Sequence, residues 1–341
     1  MAILKHTAAL ALALCLTGCF EEFDPNTDSA PVLCLNSLIT DGEPIKVEVT
    51  HTWDYNDQFS ASDHKVNDAV ITILANGESV GEGYRPEQGD RITIIAESPT
   101  YGRATAEVTV PYATPVGTVA VSPVMTDIWT GDEDFFHYEM LAEITFNLRI
   151  EMNVEDPAGS DNYYQFGYDP FMTSPQDTPD GILTGDNYPN FSIGSFDYNS
   201  EPIFKEHIGI FETVMGNGDD TNFVFFTDRQ FSGKSYPLHL FFSGNRFNVK
   251  SQEYDESLLD CGITLRLTTV SKSYYNWAVY KWNIDEGIKG DLADIGLAEP
   301  LWGYSNVSTG AGVVAARASS SFKVNLKDFF ADCLKNDNKN Q

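Results

Sequence analysis

The chain has 341 residues, enough for two or three domains and a substantial core. Fifty Asp and Glu against 21 Lys and Arg give a net charge of −29, so a phosphate backbone would be repelled and nucleic acid is excluded as a partner. Aromatic residues make up 13% of the chain, with 22 Phe and 16 Tyr, which favours strands.

The first residues carry one cation, Lys5, followed by an apolar run from Thr7 to Leu16. That run is too short to span a bilayer as a helix and fits the apolar core of a secretory signal. Leu16, Thr17, Gly18 and Cys19 then resemble the lipobox of bacterial lipoproteins. The expectation is a signal peptide over 1–18, cleavage before Cys19, and lipidation of the Cys19 thiol, which would tie the chain to a membrane. Residues 19–30 read as an acidic tether containing Glu21, Glu22, Asp24 and Pro25. Early acids after the cysteine, and the triplet Asp28, Ser29, Ala30, resemble the surface-export and glycosylation signals of Bacteroidota lipoproteins. They point to the outer membrane and its outward face. No second long apolar stretch follows.

Residues 31–112 are expected to form an immunoglobulin-like β-sandwich. Ile45–Thr50 and Ala69–Leu74 alternate apolar and polar residues, Asn76 and Gly77 are a strong turn pair, and Gly89 and Asp90 turn into Arg91–Ala96. Ala104–Val110 closes the series at Pro111. Prolines 111, 115 and 123 mark a boundary near 112–115. Residues 113–331 are expected to be a larger β-rich domain, with strands at Ala142–Met152, Asn222–Phe226, Tyr236–Phe242 and Gly262–Thr268. A loop over 173–201 is rich in Pro, Gly, Asp and Asn, a composition suited to binding; its stretch from Pro175 to Pro202 is the first place to test for a ligand. One amphipathic helix is expected, capped by Ser273, with Tyr275, Ala278, Val279 and Trp282 on one stripe and Gly287 as its stop. Residues 332–341 read as a polar tail.

Catalytic chemistry leaves no signature. There is no HExxH, CxxC, EF-hand loop or Gly-x-Ser-x-Gly elbow. The histidines, at 6, 51, 64, 137, 207 and 239, never fall within four residues of one another, so a metal site would need distant ones. Ser232–Ser235 imitates the end of a P-loop, but Asp228 stands where that loop needs glycine. Asp219 with Asp220, and Asp54 with Asp57, are acidic enough for calcium yet fit solvated loops better. Trp129 and Trp302 are candidate stacking rings, weighed against core packing. With Cys19 lipidated, Cys34, Cys261 and Cys333 allow at most one disulfide, whose pairing the sequence does not choose; Cys34 and Cys261 read best as small buried apolar groups. No catalytic residue, cofactor or metal is expected.

Several segments together resemble a Bacteroidota lipoprotein family catalogued as domain of unknown function 4249. They are Tyr101–Ala106 with Val110 and Pro111; Asp156–Tyr164; Thr227–Tyr236; Ser273–Tyr275; Glu299 with Pro300; and Asn306–Val313. They fall in the family's order and cover most of the mature chain. The last departs from the family's pattern: Val313 and Val314 stand where an aromatic residue usually follows the second glycine. The resemblance implies a two-part β-rich fold and an association with TonB-dependent outer-membrane transporters, and carries no catalytic residues. The glycines have physical readings of their own. Gly233 suits a hairpin bend, while Gly310 and Gly312 suit close backbone approach or positive φ. The functional expectation is a non-enzymatic surface lipoprotein that binds such a transporter, its cargo (a small molecule, glycan or peptide), or both. The alternatives are a cell-surface hydrolase acting on glycan or peptide, and an adhesin-like subunit, which would need an open sheet edge and a spare strand.

Overall fold

The computed structural model describes residues 30–53, 64–81, 83–131, 141–173, 190–206, 223–250, 260–287, 290 and 303–337. The fold is mainly β, as the strand periodicities predict. In chain order the first strands are β1 (Leu33–Thr40), β2 (Glu48–His51), β3 (Val70–Ala75), β4 (Glu78–Val80), β5 (Arg91–Ser98) and β6 (Gly102–Thr109). Then come β7 (Val116–Gly131), β8 (Leu141–Glu155), β9 (Tyr163–Thr173), β10 (Asn190–Ser192), β11 (Ser195–Phe196), β12 (Phe225–Thr227), β13 (Ser235–Lys250) and β14 (Asp260–Val270). Helix α1 (Lys272–Asp285), strand β15 (Val314–Asn325) and helix α2 (Lys327–Asp337) complete the series.

Among the described residues the strands form three sheets. A four-stranded sheet runs β4-β3-β5-β6, a five-stranded one β10-β13-β8-β7 with β11 also on β13, and a six-stranded one β12-β9-β14-β15-β1-β2. The last joins the two sequence halves. β1 pairs in parallel with β15, Ser37 opposite Val314, while β2 lies antiparallel on the other side of β1. Strands β1 and β2, inside the sandwich expected over 31–112, therefore share a sheet with the C-terminal segment.

The smaller core lies between the four-stranded sheet and this shared edge. Leu33, Leu35 and Ile39 of β1 meet Ile92, Ile94, Ala104 and Ala106 of β5 and β6, together with Val314 and Ala316 of β15. Asn76 (φ 53°) and Gly77 (φ 90°) both take the left-handed conformation that a two-residue hairpin requires, which is why this pair turns β3 into β4.

The larger core lies between the β9–β14–β15 part of the six-stranded sheet and the inner face of the five-stranded one. Along β8 every even-numbered residue from Ala142 to Val154 is buried, the period of two expected of a strand with one dry face. These side chains meet Leu238, Leu240 and Phe242 of β13, Tyr164 and Phe166 of β9, and Ile263, Leu265 and Leu267 of β14. Fully burying each such side chain stabilises the fold by roughly 1.5–3 kcal/mol. A bulge in β13 after Phe242 carries Asn245 into this core. Its amide donates to the carbonyls of Phe146 (3.0 Å) and Phe242 (3.1 Å) and accepts the Gly194 N–H (3.1 Å), so the break in the ladder leaves no orphan there.

Two helical details differ from expectation. Helix α1 is capped by Ser271, extended in backbone, whose hydroxyl accepts the Tyr274 N–H at 3.3 Å and whose carbonyl accepts the Tyr275 N–H at 3.1 Å. Ser273, the expected cap, lies inside the first turn, where its buried hydroxyl donates to the Val314 carbonyl at 3.0 Å. Two serines two positions apart both suit a cap; Ser271 takes it, while Ser273 joins Asn306 in donating to the Val314 carbonyl. Gly287 does follow the helix end, its N–H returning to the Trp282 carbonyl at 2.9 Å. Residues 332–337, read as the start of a polar tail, belong to α2, whose Phe330 and Cys333 seal the larger core. Lysines and aspartates on its outer side hid a narrow apolar stripe. Among the described residues no helix is long and apolar enough to cross a membrane.

Candidate functional site

The inner face of β8 is dry, so the odd-numbered residues point outward, and the register decides what stands beside them. Glu151 is opposite His239 of β13 and Ala120 of β7; Arg149 is opposite Phe241 and Ser122. These six residues, with Ser200 from a short 3-10 turn, line a groove of about 480 Å³ on the outer face of the five-stranded sheet.

The groove is set from beneath by Glu201. Its fully buried carboxylate accepts the His239 N–H at 2.6 Å, the Tyr236 hydroxyl at 2.7 Å and the Ile203 N–H at 3.3 Å. Burial, and secondarily the bond to Glu201, raise the Tyr236 phenol above its ordinary range, so it stays a donor. The His239 ring lies between two acids, Nε2 at 3.5 Å from Glu151 and Nδ1 at 3.8 Å from Glu201. The Ser200 hydroxyl donates to the Asp197 carbonyl at 2.8 Å. Arg149 lies over the Phe241 ring, 5.6 Å from its centre. The groove thus offers an imidazole held by carboxylates, one guanidinium on an aromatic ring, and two hydroxyls.

The loop expected over 173–201 contributes directly to this site. Residues 174–189 lie outside the described residues, but 190–206 pack along β13 as β10, β11 and two 3-10 turns, bringing Ser200 and Glu201 to the groove. The loop's composition gave that location; the roles of His239, Arg149 and Glu151 were not legible, because each is an ordinary polar residue on the outer side of an alternating strand.

The motif segments meet elsewhere and build structure. Asp156 takes the Tyr164 hydroxyl, the Asn162 amide (3.1 Å) and the Gly233 N–H (2.7 Å), joining the end of β8, the start of β9 and the bend before β13. Gly233 has φ +69°, the hairpin bend expected of it. Thr114 donates to Tyr164 at 3.3 Å, and its own N–H is taken by Thr269 at 3.0 Å. Glu206 receives the Thr227 N–H and hydroxyl at 3.0 and 2.9 Å. Gly310 and Gly312 both meet backbone: an added Cβ would stand 2.5 Å from the Leu33 carbonyl oxygen and 2.3 Å from that of Leu35, and Gly312 has φ +107°.

The remaining sequence candidates are dispersed. His51 and His64 come together, ring centres 5.1 Å apart, with Tyr101 stacked on His51 and Trp53 on His64. Trp129 is exposed on β7 and not in a core. Cys34, Cys261 and Cys333 are all free thiols, the last two buried. Burial pushes Cys261 up to about 12 and Cys333 up to about 11, the protonated state of small apolar groups. Cys19, the acidic pairs at 54–57 and 219–220, and Trp302 lie outside the described residues.

The fold and groove define a multi-sheet β-protein with an open polar face. The family model described as a domain of unknown function (DUF4249) matches residues 20–323, and the chain belongs to that family. No curated protein and no solved structure matches it.

Proposed function

We propose that this chain is a lipid-anchored outer-membrane protein, exposed at the cell surface, that binds a ligand in the β7–β8–β13 groove and works as a non-enzymatic partner of a TonB-dependent transporter. The anchor rests on Lys5, the apolar run to Leu16, and Leu16–Cys19. The transporter link rests on the family resemblance. The observation that carries binding over catalysis is the arrangement around His239: both ring nitrogens face carboxylates and Ser200 donates to a backbone carbonyl. A serine nucleophile needs a base within hydrogen-bond reach. The test is isolation of the full-length protein from its native outer membrane in mild detergent. Near-stoichiometric recovery of one TonB-dependent transporter supports the reading; absence of any transporter under conditions that preserve such pairs counts against it.

A second reading, a surface hydrolase, is favoured by the presence of Ser200, His239 and Glu151 in one groove. A fluorophosphonate probe decides it. Labelling of Ser200 that is lost in Ser200→Ala would establish a nucleophile; an unlabelled protein removes the reading.

A further inference from the structure

We infer that the groove selects a ligand bearing a single free carboxylate, gripped by Arg149; the inference rests on the reading of this groove as the binding surface. Among the described residues Arg149 has no acidic partner, whereas Arg91, Arg103 and Arg266 face Glu107, Glu97 and Asp169. Glu151, two residues along the same face, lies 3.5 Å from His239 Nε2 and makes no ion pair with Arg149. The Phe241 ring lies under the guanidinium, its centre 5.6 Å from Cζ, and Arg149 itself is exposed. A guanidinium fork held in one plane matches a carboxylate with two parallel hydrogen bonds and loses little freedom in making them. Ser122 and Ser200 supply hydroxyls for the rest of the ligand, and Ala120 and Phe241 supply apolar wall.

The groove's charge sets the number of negative groups. Arg149 is the one arginine or lysine among the described residues lining the groove, two residues from Glu151, in a chain of net charge −29. A phosphate dianion would bring two negative charges to one guanidinium with Glu151 beside it, while a carboxylate brings one, which Arg149 alone can pair. A neutral ligand would strip water from the guanidinium without replacing its partner.

Two kinds of molecule present this chemistry, a sugar acid and a peptide C-terminus. The experiment titrates the full-length, detergent-solubilised protein with galacturonate and with N-acetyl-alanyl-alanine, each beside its methyl ester, followed by calorimetry. Saturable binding of either acid is expected, with its ester weaker by about tenfold or more. Arg149→Gln should bring the acid down to the ester's affinity, Arg149→Lys should recover only part of it, and Arg266→Gln, on another sheet, should change nothing. Which acid binds identifies the source. If an ester binds as well as its acid and Phe241→Ala abolishes both, the groove remains a binding surface and the carboxylate assignment falls. If neither acid binds, or binding survives Arg149→Gln, the assignment is overturned. The transporter copurification tests the underlying reading separately.

Discussion

The fully buried carboxylate of Glu201 accepts the backbone N–H of His239 at 2.6 Å, across 38 residues of sequence. One acid thereby fixes the middle of β13 and the turn that carries Ser200. Glu201→Ala leaves three donors facing a dry space, each costing roughly 1–3 kcal/mol. The variant should lose several kcal/mol in urea unfolding. Glu201→Gln keeps an acceptor oxygen and should lose clearly less.

Asp156 and Tyr164 form the hub that ties β8, β9 and the Gly233 bend together. Tyr164→Phe and Asp156→Asn should each destabilise by about 1–3 kcal/mol. Because the pair shares one network, the double variant should lose less than the two losses added, by about 0.5–3 kcal/mol. Strict additivity in denaturant melts would show that the hydroxyl and the acid act independently.

Gly312 sits at φ +107° with its missing Cβ pointing at the Leu35 carbonyl oxygen. Gly312→Ala brings both backbone strain and a backbone clash, and should cost at least about 2 kcal/mol. The loss should appear first as faster amide exchange along β1 and β15. Gly42→Ala is the contrast: its φ is +69° but nothing stands within 4 Å of the added carbon, so strain alone should make it milder.

The buried thiols give an alkaline limit. Both ionise at ordinary values near 9.0 in the unfolded chain, while burial holds Cys261 near 12 and Cys333 near 11 in the fold. The folded state then keeps its protons more tightly, so this contribution is intact below pH 9 and declines as pH rises from 9 toward 12. Urea midpoints at pH 8, 9.5 and 11 should fall progressively, and Cys261→Ala should fall less steeply. Ellman's reagent at pH 8 should find Cys34, only half-buried, well before the other two.

If Cys19 carries the anchor, Cys19→Ala should abolish incorporation of labelled fatty acid and move the protein out of the membrane fraction. An unchanged distribution between fractions would remove the anchor from the proposed function.

Residues that alternate were legible from sequence: β5, β6, β8 and β14 fall where Arg91–Ala96, Ala104–Val110, Ala142–Met152 and Gly262–Thr268 alternate. The strands that close the molecule were not. After Val314, β15 runs through Ala315, Ala316 and Ser319–Ser321, small residues that do not favour strands. What makes them a strand is pairing with β1 at 314–317 and with β14 at 317–325, partners that lie outside the segment itself. The groove was hidden for a related reason. Arg149, Glu151 and His239 gain meaning from the β8–β13 register, and periodicity within one strand says nothing about its neighbour.

The parallel pairing of β1 with β15 sets an order of events for the newborn chain. Asn36 receives the Val313 N–H from 277 residues downstream. At roughly 5–20 residues per second, β1 is made on the order of tens of seconds before the strand that covers it. Until then its inner edge is an open template, and the smaller core lacks the Val314 and Ala316 that complete it. Closure of this sheet needs residues 314–317, so a chain truncated before residue 314 leaves its first strand without a parallel partner.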